Sequence, residues 1–165
     1  MQNICFVCTG NTCRSPVAEK MLTKYLKQAG LTCFSVSSCG LSINKGDNIN
    51  PYSIEVLKDY GIKVKSRKAK QHTKPMLKKY NLFITMTQSQ KQTFPNNVQV
   101  FTFGELVGKG DICDPYGMPL ESYKQMAKQI DEYCKLLVQK LIDIKGAKIW
   151  LSLHVTMLVI NLKKI

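Results

Sequence analysis

The sequence predicts an α/β domain: a parallel sheet with helices on both faces. Three observations predict it. Four short apolar or alternating runs are separated by stretches with helical spacing, the alternation that produces parallel strands joined by crossover helices. One of these runs, Leu82-Phe83-Ile84-Thr85-Met86, is apolar enough to be buried on both faces. A chain of 165 residues with 44% hydrophobic content has room for one sizeable core.

The first strand, residues 4–7, reads Ile-Cys-Phe-Val and runs into a polar loop, Cys8 to Ser15. Pro16 then favours a first helical position. From there Val17, Ala18, Met21, Leu22, Tyr25 and Leu26 recur at helical spacing to about Gln28, and Gly30 is the stop. Residues 34–39 alternate and read as a second strand, and residues 40–50 as a loop. A second helix is expected over residues 51–60, capped by Asn50 and ended by Gly61, with Ile54 and Leu57 facing inward and Val56 beside them. A short helix begins near Pro75, with Met76 and Leu77 inward, ahead of the third strand, residues 82–86. A short polar helix or turn covers 87–94, and a fourth strand covers 98–101. Residues 104–117 hold four Gly and one Pro and read as a long loop, a length that is usually functional. The longest helix runs from Pro119 to about Lys145, with Gly146 ending it.

The chemistry concentrates in the first loop. Strand, tight polar loop and helix N-terminus together make an anion site, because unpaired N–H groups and the helix dipole converge there. Gly10 is free to take a positive φ and Asn11 tolerates one. Arg14 offers two parallel hydrogen bonds to phosphate oxygens. Cys8 would lie on the floor, its thiolate stabilised and its pKa lowered by the field that holds the anion, with Ser15 donating to the sulfur. Thr9, Gly10, Asn11, Thr12 and Cys13 complete the cradle. This is a nucleophile beneath a phosphoryl group. No metal or cofactor is expected, since Arg14 and the loop supply the positive field.

Cys-x5-Arg-Ser-Pro near the N-terminus, with Asp114-Pro115-Tyr116 far downstream, resembles the low-molecular-weight protein tyrosine phosphatases, bacterial type, over about residues 3–145. The resemblance implies a small four-stranded sheet of flavodoxin-like type and a two-step hydrolysis through phosphocysteine. Cys8 would be the nucleophile, Arg14 the binder of the equatorial oxygens and Asp114 the general acid, with Tyr116 as one wall of the substrate site. It also implies that Ser38 bonds Asn11, and that Cys13 can form a reversible disulfide with Cys8; packing as a small apolar residue is the alternative for Cys13.

The chain departs from better-known members at three places. Thr12 stands where tyrosine-specific enzymes usually carry isoleucine, loop 40–50 has no aromatic residue, and Gly117 follows Tyr116 where many members have a second tyrosine. A phenol ring prefers apolar and aromatic walls. Similar bacterial enzymes with Thr at this position include protein arginine phosphatases, so the reading leans slightly to phosphoarginine over phosphotyrosine. Two other classes share parts of the pattern. An arsenate reductase needs relay cysteines, and none lies between Cys39 and Cys113, although Cys113 is available. A non-catalytic phosphate-binding module would not need the acid.

Net charge is +13, with nine Lys and Arg against one Asp between Lys58 and Lys79. That stretch is either a solvated face or a surface for an acidic partner such as a phosphoprotein. Aromatic residues for base stacking are sparse there, so no nucleic acid is expected. Seven cysteines without zinc spacing, and no secretory pattern at the N-terminus, fit a reduced, cytoplasmic setting. Oligomeric state is not encoded in any visible pattern. The phosphatase domain is expected over 1–145, followed by an apolar tail over 146–165. The tail is too short and polar to span a bilayer comfortably. It reads as an added packed element or a loose extension, with a membrane-surface anchor the less favoured alternative.

Overall fold

The computed structural model describes residues 1–146. Four strands, β1 (Gln2–Cys8), β2 (Phe34–Gly40), β3 (Leu82–Thr85) and β4 (Val100–Thr102), form one parallel sheet in the order β2-β1-β3-β4. The helices are α1 (Arg14–Gln28), α2 (Pro51–Asp59), α3 (Met76–Lys79), α4 (Gln88–Lys91), α5 (Phe103–Val107) and α6 (Leu120–Gly146). The small, flavodoxin-like parallel sheet is therefore the fold. The predicted tail lies outside the described residues, Gly146 apart.

Alternation along β1 builds two unequal cores. Ile4, Phe6 and Cys8 face a large one shared with Val17, Met21 and Leu22 of α1, Val56 and Leu57 of α2, Phe103 of α5 and Met126 and Ile130 of α6. Cys5 and Val7 face a small one with Cys39, Phe83 and Phe94, which Met76, Leu77 and Tyr80 cover in part. Helices thus lie on both faces, the long ones on the Phe6 side. The fully buried β3 has the continuous apolar character that a central parallel strand requires.

Several boundaries follow local chemistry. α1 ends where Gly30 takes φ +65°, so that the Leu31 N–H reaches the Leu26 carbonyl at 2.9 Å and the Gly30 N–H reaches that of Lys27. The Asn50 side chain caps α2 by accepting from the Tyr52 N–H at 2.9 Å. Its inward residues are Ser53, Val56 and Leu57, while Ile54 is only half-buried, because it faces a groove. The expected loop from residue 104 instead begins with a helix. Thr102 and Glu105 form a reciprocal capping box, with Thr102 Oγ1 accepting from the Glu105 N–H and Glu105 Oε2 from the Thr102 N–H. The two glycines at 104 and 108 hid that signal.

Register fixes what stands beside the Cys8 loop. β1 pairs with β2 so that Phe6 is opposite Ser38 and Cys8 opposite Gly40. A side chain at Gly40 would place Cβ 2.6 Å from the Thr9 carbonyl oxygen and 2.9 Å from the Asn11 nitrogen. The loop can lie against the end of β2 only because that side chain is absent. Gly40→Ala should lower stability by about 1–3 kcal/mol, the usual range for overpacking, in urea titrations. Gly110→Ala, where a Cβ meets nothing within 4 Å, is the control and should stay near wild type.

Candidate active site

The loop after β1 curls around the Cys8 sulfur. The Asn11 N–H donates to Cys8 Sγ at 3.3 Å, and Ser15 Oγ lies 3.0 Å from the same sulfur. Ser15 Oγ accepts from Asn11 Nδ2 at 2.9 Å, and its own hydrogen is placed between the sulfur and the Cys39 carbonyl oxygen, 3.4 Å away. The curl needs a left-handed residue, and Asn11, at φ 53°, supplies it; Gly10 does not. A buried polar chain holds Asn11 there. Its Nδ2 also donates to Ser38 Oγ at 2.9 Å, and its Oδ1 accepts from the Lys70 N–H at 2.9 Å. Ser38 donates in turn to Glu19 Oε2 at 2.6 Å. Arg67 Nη2 donates to both Glu19, at 2.6 Å, and Ser38, at 3.0 Å. Every donor and acceptor of the Asn11 side chain is thereby used inside the protein.

Arg14 opens α1, is 5% exposed, and reaches across the loop to Asp114 Oδ2 at 2.5 Å. Asp114 comes from the loop between α5 and α6, with its side chain half exposed, and it accepts from the Tyr116 N–H at 3.2 Å through its other oxygen. Cys8, Thr9, Gly10, Thr12, Cys13, Arg14, Asp114 and Tyr116 line one cavity of about 270 Å³. Asn11 and Ser15 sit beneath it, both buried. All ten residues expected at the site thus gather at the C-terminal ends of β1 and β2, where ligands bind in open α/β sheets.

The sulfur departs from expectation in one respect. Cys8 is 2% exposed, and burial pushes its thiol above the ordinary cysteine value. Ser15, through hydroxyl and N–H, then Arg14 and the Asn11 N–H, pull it down. Burial is the larger effect. Cys13 is buried, its thiol 3.4 Å from Tyr123 Oη and 3.4 Å from Thr12 Oγ1; both Cys8 and Cys13 are free thiols.

The family model for low molecular weight phosphotyrosine protein phosphatase matches residues 3–145. The chain belongs to this family. It is 36% identical over 132 residues to the low molecular weight protein-tyrosine-phosphatase PtpB of Staphylococcus haemolyticus, covering 77% of this chain and 91% of that one. It is 31% identical over 146 residues to a protein-arginine-phosphatase of Bacillus subtilis, covering 84% and 96%. A solved YwlE arginine phosphatase, a Cys-to-Ser mutant with phosphorylated active site serine, superposes with a TM-score of 0.78 at 29% identity, covering 85% of this chain and 95% of that one.

Some parts of the site have little or no signature in the sequence. Glu19 carried one signal: a carboxylate on the apolar face of α1, four residues after Ser15 and so one turn above it. Arg67 is one of nine cations in its stretch and had none. Gln90 holds Thr9 by donating from Nε2 to Oγ1 at 3.2 Å, a contact across 81 residues. Ser42, Asn44 and Asp47 add polar lining from loop 41–50.

The Ser15 hydroxyl lowers the Cys8 pKa, so Ser15→Ala should raise it further. Alkylation by iodoacetamide requires the thiolate. Its midpoint at Cys8, followed by mass spectrometry of the Cys8 peptide, should therefore move to higher pH. A midpoint unmoved by the substitution would mean that Ser15 does not act on the sulfur.

Proposed function

We propose that this phosphatase removes phosphoryl groups from protein arginine, with tyrosine a close second, through a phosphocysteine at Cys8. The sulfur attacks phosphorus opposite the leaving atom, so that the S–P bond forms as the P–N or P–O bond breaks. Arg14 and the loop N–H groups hold the equatorial oxygens, where charge spreads in the transition state. Asp114 gives its proton to the leaving atom. It then takes one from the water that attacks the phosphocysteine, releasing inorganic phosphate and restoring the sulfur. Placement of Cys8, Arg14 and Asp114 in one cavity supports these roles. Phosphorylated proteins are the substrates.

The nature of the cavity mouth carries the lean towards arginine. Thr12, Ser42, Asn44 and Asp47 are polar, and Tyr116 is the one aromatic among the described residues that line it. Tyr116 is 70% exposed, a flap more than a slot for a ring. A phenol ring would lose aromatic contact there, whereas a guanidinium finds hydrogen-bond partners. The relatives' names span both substrates.

Two experiments test this reading. Wild type should turn over phosphoarginine peptides, while Cys8→Ser should lose at least about 10³-fold in kcat yet still bind inorganic phosphate in calorimetry; turnover by the variant would remove Cys8 as nucleophile. Thr12→Ile should shift the ratio of kcat/KM towards phosphotyrosine peptides over phosphoarginine peptides of the same sequence. An unchanged ratio would take Thr12 out of the specificity argument.

A further inference from the structure

The cavity over Cys8 holds a carboxylate that the phosphoryl chemistry leaves without a task. Asp47 lines it from the segment between β2 and α2. It is half-buried and forms no ion pair among the described residues. On its own, a carboxylate here opposes binding, because it repels the incoming phosphoryl dianion in a space only partly screened by water. Its use must come from something the substrate brings.

The backbone presents Asp47 in a fixed place. The Asp47 N–H closes a turn on the Asn44 carbonyl at 3.1 Å, and the Asp47 carbonyl accepts from the Ala69 N–H at 2.8 Å. Asn48 forms an antiparallel bridge with Lys68, and the Ile49 N–H donates to the Arg67 carbonyl at 2.9 Å. One residue further, the Asn50 N–H donates to the Thr12 carbonyl at 2.9 Å, tying this segment to the phosphate loop itself. Preorganisation of this kind lets a half-exposed charge select a partner without first paying to order the loop.

Asp47 also stands at a junction. Together with Thr12 and Tyr116 it lines a second, longer groove that continues past Ile49 and Ile54 along α2. These three residues are the ones that the two cavities share.

We infer that Asp47 is a specificity-determining residue, whose carboxylate pairs with a cation that the substrate carries next to its phosphoryl group. The inference deepens the phosphatase reading of this site and rests on it. A phosphorylated guanidinium keeps a delocalised positive charge and N–H donors that match a carboxylate, and a phosphorylated phenol has neither. Repulsion of the dianion applies to every substrate, whereas compensation applies only to those bearing the cation, which is how a charge produces discrimination and not mere affinity. An arginine beside a phosphotyrosine in the same polypeptide offers the same chemistry from the groove side.

The test compares wild type with Asp47→Asn on three peptides: phosphoarginine with uncharged neighbours, phosphotyrosine with uncharged neighbours, and phosphotyrosine next to an arginine. In Asp47→Asn, kcat/KM for the phosphoarginine peptide relative to the uncharged phosphotyrosine peptide should fall on the order of tenfold, the size of one charge-assisted contact. Added salt should shrink the wild-type ratio and leave that of the variant flat. A fall confined to the arginine-flanked peptide also supports the pairing, with the neighbour as the source of the cation. Equal changes on all three peptides, or none, overturn it. A wild type that prefers phosphotyrosine overall would defeat the arginine lean while the shift in ratio still judges Asp47. Calorimetric affinities of phosphoarginine and phosphotyrosine for Cys8→Ser, with and without Asp47→Asn, give the same ratio without turnover. They therefore decide on Asp47 even if the wild type hydrolyses none of the peptides.

Discussion

The left-handed turn at Asn11 is the constraint on which the site depends. A non-glycine residue with φ 53° carries strain of about 1–3 kcal/mol and persists only when its surroundings over-determine it. Here they do. The Asn11 side chain makes three hydrogen bonds to groups on three different segments, each contributing about 0.5–1.5 kcal/mol net. Because the side chain is fixed, the Asn11 N–H points back at the Cys8 sulfur and the loop closes into a cradle. A glycine would adopt the conformation more cheaply and hold it less firmly, having no side chain to anchor.

That anchoring places polar groups in an interior that is otherwise apolar, so each must be satisfied. Glu19 is 6% exposed, and an isolated carboxylate there would be costly. Arg67 and Lys20 pair with it, and Ser38 donates to it. The cluster sits where β1 and β2 end, while the same helix further on presents Met21, Leu22 and Leu26 to the core. α1 therefore does two things along one face: its first turns serve the loop and its later turns hold the sheet. The pairing of β1 with β2 is what joins them, since a slip of one residue would send Ser38 to the opposite side of the sheet.

Legibility in the sequence followed interaction range. Element order, the caps at Asn50 and Gly30 and the cradle residues from Cys8 to Ser15 are written in contiguous stretches, and the distant Asp114 was readable only as part of a family pattern. Helix α5 was also local, through Thr102 and Glu105, but two glycines masked it. What was not legible depends on pairs far apart in the chain: Gln90 on Thr9, Arg67 on Glu19, Gly40 against Asn11. No property of Arg67 separates it from the lysines around it until the fold brings Glu19 beneath it. The pull of burial on Cys8 is hidden in the sequence for a related reason. Donors to the sulfur can be counted from a motif, whereas the depth at which the loop seals it from water is a product of packing.

The resting contact between Arg14 and Asp114 gives these parts an order of events on the proposed chemistry. Arg14 is almost fully buried at the start of α1, and Asp114 is half exposed on a loop, so Asp114 is the partner free to move. An ion pair with one exposed member is worth only about 0–1 kcal/mol. A phosphoryl dianion offers the same guanidinium two parallel, charge-assisted bonds and the amides of the cradle as well. On the proposed chemistry, substrate therefore displaces the carboxylate from the arginine instead of binding beside it. On that chemistry the displaced carboxylate stays on the rim of the same cavity, where it takes up a proton from solvent before it gives one to the leaving atom.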